Sequence, residues 1–162
     1  MRRFPTLNAF RQEVGRGIGA SDWITIDQPR ILQFAQVCGD DSWVHVDEKR
    51  AAHELPGGRP IAHGFLTLSL VTALGQKIWS VDSVGTAFLY GLESVRFAAP
   101  VPAGSRLRLH QVLEAIDDAA SGGAKVRIKN TLEVDGTAKP ACVAVTISLL
   151  LEDASQQRAS LS

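Results

Sequence analysis

The chain has 162 residues, 45% of them hydrophobic and 21% charged, with 17 Lys plus Arg against 17 Asp plus Glu. That length suits one domain over 1–162, with a core over about 20–151 and a polar tail over about 152–162, and the composition excludes a disordered chain. Balanced charge leaves no long-range field to attract nucleic acid or an anionic membrane, so any anionic ligand must be held by local groups.

The start, MRRFPTLNAFRQ, has no apolar run of the kind an export signal needs, because Pro5, Asn8, Arg11 and Gln12 interrupt it. Residues 4–14 predict a short helix, and Trp23, Ile24 and Ile26 a strand. Asp27 then caps a helix with Pro29 in its first turn, Ile31, Leu32, Phe34, Ala35 and Val37 at helical spacing, and Gly39 as its stop. GDDSWVHVD is too rich in turn formers to extend helix or strand, and Asp47 caps a short turn through Glu48 to His53. LPGGRP, 55–60, is a connection with two glycines between two prolines.

From Ala62 to about Trp79 the pattern is helical, with Phe65, Leu66, Leu68, Leu70, Val71, Leu74, Ile78 and Trp79 spread over nearly the whole circumference. A helix apolar all round must be enclosed by other structure. The run 61–76 has no charged residue, yet it falls short of the roughly 20 residues that cross a bilayer. Strand-like runs follow at 84–98, 105–116, 124–134 and 141–151. In the last two, Val126, Ile128, Leu132 and Val134, and then Val143, Val145, Ile147, Leu149 and Leu151, alternate with mostly polar neighbours, as on a sheet with one dry face. Asp135-Gly136 and Ser121-Gly122-Gly123 supply turns, so the strands are antiparallel. The alternation in 106–116 slips phase after His110, which predicts a bulge or bend. The fold class expected is α+β, one buried helix wrapped by a curved antiparallel sheet. Cys38 and Cys142 have neither CxxC nor paired His spacing, so both are expected free and buried in a reducing, cytoplasmic setting, with no metal site.

The chemistry concentrates in two places. Asp40 and His45 share one loop beside Gly39, and a carboxylate beside an imidazole can position and deprotonate water. The alternative is a turn residue and a surface histidine. Ala62-His63-Gly64 opens the buried helix, where the first N–H groups lack intrahelical partners and the macrodipole is positive. Gly64 lets a carbonyl approach its N–H closely, or it merely lets the sheet approach the helix.

The strings CGDDSWVHVDEKRA and PIAHGFLTLSL together resemble the MaoC-like proteins, whose best-known members are (R)-specific 2-enoyl-CoA hydratases. Gly39, Asp40, Val44, His45 and Ala51 match a motif of Gly-Asp-x-Asn-Pro-aliphatic-His followed by a small residue. Ala62-His63-Gly64 matches downstream, and Tyr90-Gly91-Leu92 with Val95-Arg96-Phe97 looks like the strand after the helix. Ser42 and Trp43 stand where the hydratase motif has Asn and Pro, and Trp at this place is similar to the branch that includes nodulation-protein-N-like members. The resemblance implies a hot-dog fold, a homodimer with joined sheets, and an acyl-CoA substrate in a tunnel at the subunit interface. It also implies Asp40 as general base, His45 orienting the water, and the Gly64 N–H polarising the thioester carbonyl. Coenzyme A enters only as part of the substrate, and no metal or redox cofactor is implied.

Ser42, Trp43 and His63 are the candidate substrate contacts, Ser42 by bracing the loop, Trp43 by lining the acyl channel and His63 by its place beside Gly64. Arg59, Lys77 and Arg96 are candidate phosphate contacts, and His53 and His110 are expected to be solvated. Two rivals stand beside the hydratase. A hot-dog thioesterase commonly places an acid on the long helix, and 62–76 offers none; a non-catalytic acyl-binding module would keep the fold alone.

Overall fold

The computed structural model describes residues 1–119 and 123–153. The chain opens with a strand, β1 (Arg2–Phe4), and a short helix, α1 (Leu7–Arg11), where one helix over 4–14 was expected. Pro5 removes a backbone donor, and Thr6 Oγ1 accepts from the Ala9 N–H at 3.2 Å, so the helix begins only after that cap. β1 pairs in parallel with β4 (Trp79–Val81). This pairing also shortens the long helix: α5 spans Gly64–Gly75, and Trp79, expected in the helix, starts a strand instead. Tertiary contacts override the apolar pattern there, since the Trp79 indole stacks on Phe10 with ring centroids 4.6 Å apart.

Two helices precede α5 as the sequence predicts. α2 (Gln28–Cys38) starts at Asp27, whose carboxylate accepts from the Arg30 N–H at 3.0 Å, and ends at Gly39 with φ 76°. α4 (Glu48–Glu54) starts at Asp47, which accepts from the Arg50 N–H at 2.9 Å. Between them the loop winds into one helical turn, α3 (Trp43–Val46).

The main sheet contains β2 (Gly17–Ala20), β3 (Ile24–Ile26), β5 (Val84–Phe97), β6 (Ser105–Asp118), β7 (Ala124–Val134) and β8 (Cys142–Glu152). Its order is β2-β6-β7-β8-β5, with β3 also on β6, and every pairing is antiparallel. The Asp135-Gly136 turn joins β7 to β8, with Gly136 at φ 74°. Ser121 and Gly122 of the other expected turn, and the tail from Ala154, lie outside the described residues. Leu66, Val71 and Leu74 of α5 share one buried cluster with Ile31 of α2 and with Leu107, Leu109, Leu132, Val134 and Ala144 of the sheet. One face of α5 thus lies between sheet and α2, but Phe65, Ser69, Thr72 and Ala73 on the other face are exposed, so the all-round enclosure expected from the apolar pattern is not complete within one chain.

Two expectations need correction. In β6 the inward positions Leu107, Leu109, Gln111 and Leu113 are all buried; against β7 the register shifts between Leu113 and Ala115, and against β2 the extra residue lies in β2, between Gly17 and Gly19, opposite Val112 and Gln111. The apparent slip after His110 is therefore an inward-facing polar residue, Gln111, followed later by the bulge. Cys38 is exposed at the end of α2, whose buried face is Ile31 and Ala35; only Cys142 is buried as expected. Among the described residues no helix is long and apolar enough to cross a membrane.

Candidate active site

Gly39 turns the chain off α2, so Asp40 falls beside the start of α5. The Asp40 Oδ1 accepts from the Ser42 N–H at 3.3 Å, which pins the carboxylate to its own loop. α3 is held from two sides: Gln28 Nε2 donates to the His45 carbonyl at 2.8 Å, and the Ile61 N–H donates to the Val44 carbonyl at 2.9 Å. The His45 ring is thereby delivered next to Ile61, whose carbonyl lies 2.6 Å from Nδ1. A carbonyl only accepts, so Nδ1 carries the proton and a neutral ring leaves a lone pair on Nε2. That nitrogen stands 4.0 Å from Asp40 Oδ2.

His63 completes the cluster. Its Nε2–H donates to the Asp40 backbone carbonyl at 2.9 Å, its ring stacks on His45 with centroids 3.7 Å apart, and Phe34 covers it with centroids 5.1 Å apart. Only 4% of its side chain is exposed, and Nδ1 is buried without a partner. His63 therefore fixes the position of both catalytic candidates. Asp40, His45 and His63 bring ligand-type atoms within 4.8 Å of one another. Because His63 Nε2 presents a proton, only Asp40 and His45 Nε2 offer lone pairs to the gap, fewer than the three protein ligands of a catalytic zinc site.

Gly64 begins α5, directly after His63. A cavity of about 320 Å³ joins His45 to Gly64 and is walled by Ile61, Thr67, Phe97 and Val101. The Phe97 ring lies so close over Gly64 that a Cβ there would meet three ring carbons at 3.2 Å. Imidazole, helix amino end and cavity thus share one small volume; the Asp40 carboxylate is not among the residues lining the cavity, is half exposed, and reaches the site through its 4.0 Å approach to His45 Nε2.

The other candidates fall elsewhere. Trp43 holds the Arg50 guanidinium 4.0 Å from its ring centroid and is not among the residues lining this cavity. The Ser42 side chain makes no capping bond; its contribution is its backbone N–H. Arg59 donates to the Ala103 carbonyl at 2.8 Å, while Lys77 and Arg96 are exposed. His53 is exposed, but His110, expected to be solvated, is partly buried with Nε2 2.6 Å from Glu133 Oε2. That carboxyl is held below its ordinary value by hydrogen bonds from Arg108 and then His110. The brace from Gln28 and the wall at Thr67 were missed; Thr67 stands three residues after Gly64 and so faces the same side of the helix, but no local pattern marks Gln28.

The profile of the MaoC like domain matches residues 9–135. The chain belongs to the MaoC-like family. It is 44% identical over 147 residues, 91% of this chain and 97% of the other, to 3-hydroxyacyl-thioester dehydratase Z of Mycobacterium tuberculosis. It is 37% identical over 141 residues to nodulation protein N of Rhizobium leguminosarum bv. viciae, covering 86% and 88% of the two chains. Among solved structures, the R-hydratase PhaJ1 from Pseudomonas aeruginosa superposes with a TM-score of 0.70 at 23% identity, over 87% of this chain and 83% of that one. The (R)-hydratase from A. caviae does so with 0.68 at 22% identity, over 85% and 96%. These likenesses establish the hot-dog fold, with α5 as the long helix, and this MaoC-like chain is an enzyme of the hydratase and dehydratase class.

Proposed function

We propose that this MaoC-like protein adds water reversibly across the double bond of trans-2-enoyl-CoA thioesters, giving (R)-3-hydroxyacyl-CoA. The observation that carries the reading is the 4.0 Å gap between Asp40 Oδ2 and His45 Nε2, both of them acceptors. Such a gap is too long for a direct hydrogen bond and suits one water donating a hydrogen to each side. The water's lone pair then points away from both, toward a substrate in the cavity beside Gly64.

In the hydration direction Asp40 takes a proton from that water as its oxygen bonds to C3. The electron pair of the C2–C3 double bond moves onto the thioester oxygen, where the Gly64 N–H and the positive end of α5 stabilise it. The proton then passes to C2, which restores the Asp40 carboxylate and the carbonyl. His45 orients the water through Nε2, and His63 holds the Asp40 backbone and the His45 ring from behind. Only protons move, so the chemistry calls for no redox group, and coenzyme A belongs to the substrate. The name of the mycobacterial relative, a 3-hydroxyacyl-thioester dehydratase, supports the same reaction read backward. The names of the (R)-hydratase neighbours support the handedness.

A homodimer belongs to the same proposal. β5 is an edge strand of 14 residues that exposes Phe88, Leu89, Tyr90, Leu92, Val95 and Phe97. A long apolar edge of this kind invites pairing with a second copy, which would also cover Phe65, 71% exposed. Hydrolysis of the thioester is the competing reaction, and α5, GFLTLSLVTALG, carries no acid for it. Crotonyl-CoA separates the two: loss of enoyl-thioester absorbance without free thiol is the expected result. Thiol release alone would replace the hydratase with a thioesterase, and acyl-CoA binding with neither signal would leave an accessory binding module.

A further inference from the structure

A second cavity of about 320 Å³ lies at the opposite end of α5 from Asp40 and His45. Its walls are mixed: Val71, Val84, Phe88 and Leu150 are apolar, Gln76, Ser80, Thr86 and Ser148 are polar, and the buried Gln111 and Thr146 also line it. A third space of about 180 Å³ shares Val71, Thr72, Leu89 and Thr146 with it and extends toward Phe65 and Leu68. Phe65 in turn meets Phe97, a wall of the cavity beside Gly64, with ring centroids 6.2 Å apart. A run of largely apolar space therefore follows α5 between its two ends, interrupted by the Phe65–Phe97 pair and lined in part by the β5 edge residues Leu89 and Leu92. Twelve residues of helix span about 16 Å, close to the reach of an extended acyl chain of about a dozen carbons.

The far end of that run is built to hold a polar group. Gln111 is 5% exposed, Asn130 1% and Thr146 6%. The Trp79 indole N–H donates to Gln111 Oε1 at 3.0 Å, and because an indole only donates, the amide orientation is fixed. Gln111 Nε2 donates to Asn130 Oδ1 at 2.8 Å, and Asn130 Nδ2 donates to Thr146 Oγ1 and to the Ile128 carbonyl, both at 2.9 Å. Asn130 spends both of its hydrogens inside the network; Gln111 spends one and keeps a second N–H for the cavity it lines. Gly75 makes room for this amide, since a Cβ there would lie 3.0 Å from Gln111 Nε2. A Leu or Met at this inward position of β6 would leave the Trp79 N–H and Asn130 Oδ1 without these partners, so the amide completes the network, and the hydrogen it does not spend there calls for an acceptor from the cavity.

We propose that Gln111 reads an acceptor oxygen, hydroxyl or keto, carried on the acyl chain about a dozen carbons from the thioester. The inference rests on the hydratase reading for its substrate: the thioester sits at Gly64 and the chain runs along α5 to Gln111. Recognition then favours a remotely oxygenated chain over the plain one, because the plain chain would bury the Gln111 N–H without a partner.

The test compares two non-reacting ligands, dodecanoyl-CoA and 12-hydroxydodecanoyl-CoA, by titration calorimetry on the full chain. The wild type is expected to bind the hydroxylated chain about tenfold more tightly, and Gln111→Met to bring that ratio to about one. Equal affinities in the wild type would overturn the proposal, as would a preference that survives in Gln111→Met. Should that variant fail to fold, the wild-type ratio decides alone. The corresponding trans-2-enoyl thioesters tell the two readings apart. Absence of hydration with either chain refutes the hydratase reading, while the calorimetric ratio still upholds or overturns the Gln111 site.

Discussion

Replacing Gly64 with alanine separates the stability of α5 from the use of its first N–H. The new Cβ would meet Phe97 Cδ1, Cδ2 and Cε1 at 3.2 Å, a few tenths of an ångström too close. Phe97 is 46% exposed within one chain, so its ring has room to shift by that amount, and alanine is a better helix former than glycine, by less at the first position of α5 than the roughly 1 kcal/mol of a helix interior. The two effects oppose each other, so the variant should unfold within about 1 kcal/mol of the wild type in urea. Activity should not survive so well, because the methyl group occupies the approach of the thioester oxygen. Loss of one donor to a developing oxyanion costs roughly 2.7 to 4 kcal/mol elsewhere, or about 10² to 10³ in kcat. The assay is loss of enoyl absorbance with crotonyl-CoA at saturating substrate. The double variant Gly64→Ala/Phe97→Ala removes the ring contact but not the methyl group, and should stay as slow as the single one. Near-wild-type turnover in Gly64→Ala, or recovery in the double variant, would refute the placement of the carbonyl at this N–H.

Sedimentation should give the wild type twice the mass of one chain, and Leu92→Lys on the exposed edge of β5 should shift it to monomer; a monomeric wild type would rule out the proposed pairing. Burial pushes the Cys142 thiol up to about 11, so at pH 8 a thiol reagent should modify the folded chain once, at exposed Cys38, and a second time only on unfolding. Rapid modification of both would show that β8 does not shield Cys142. Hydrogen bonds from Arg108 and His110 lower the Glu133 carboxyl below its ordinary 4.5, so their stabilisation is complete above that value and is lost as pH falls through the lowered one. Melting temperatures followed from neutral to acid pH should therefore fall less steeply in Glu133→Gln than in the wild type.

The parts of this fold that could be read from the sequence are those in which local and tertiary signals agree. Asp27, Pro29 and Gly39 bound α2 because capping is local chemistry, and the alternation in β7 is visible because one face of the sheet is dry. In β8 the phase is the reverse of the one expected, since Cys142, Ala144, Thr146 and Leu150 are buried while Val143, Val145, Ile147, Leu149 and Leu151 are only half-buried. The end of α5 misled because Ile78 and Trp79 continue an apolar pattern that serves a strand pairing with β1, more than seventy residues away. β2, with the sequence GIGA, has almost no side chains to show a period and was not anticipated. Gln111 looked like a break in phase because strand patterns are read from apolar residues, and a buried amide in an inward position mimics a slip. At the site, the grouping of Asp40, His45 and Gly64 is legible because their order along the chain matches a motif, and the structure brings Asp40 and His45 to 4.0 Å with Gly64 lining the same cavity as His45. The Gln28 brace and the stacking of His63 on His45 come from contacts across 17 and 18 positions, which spacing alone does not reveal.

The central claim is that Asp40 removes a proton from a water held between its carboxylate and His45. Asp40→Asn keeps the shape and an oxygen for the Ser42 N–H but takes away the base. Turnover of crotonyl-CoA should fall by at least about 10² with the circular dichroism and urea midpoint of the wild type preserved. Undiminished turnover in that variant would contradict the account.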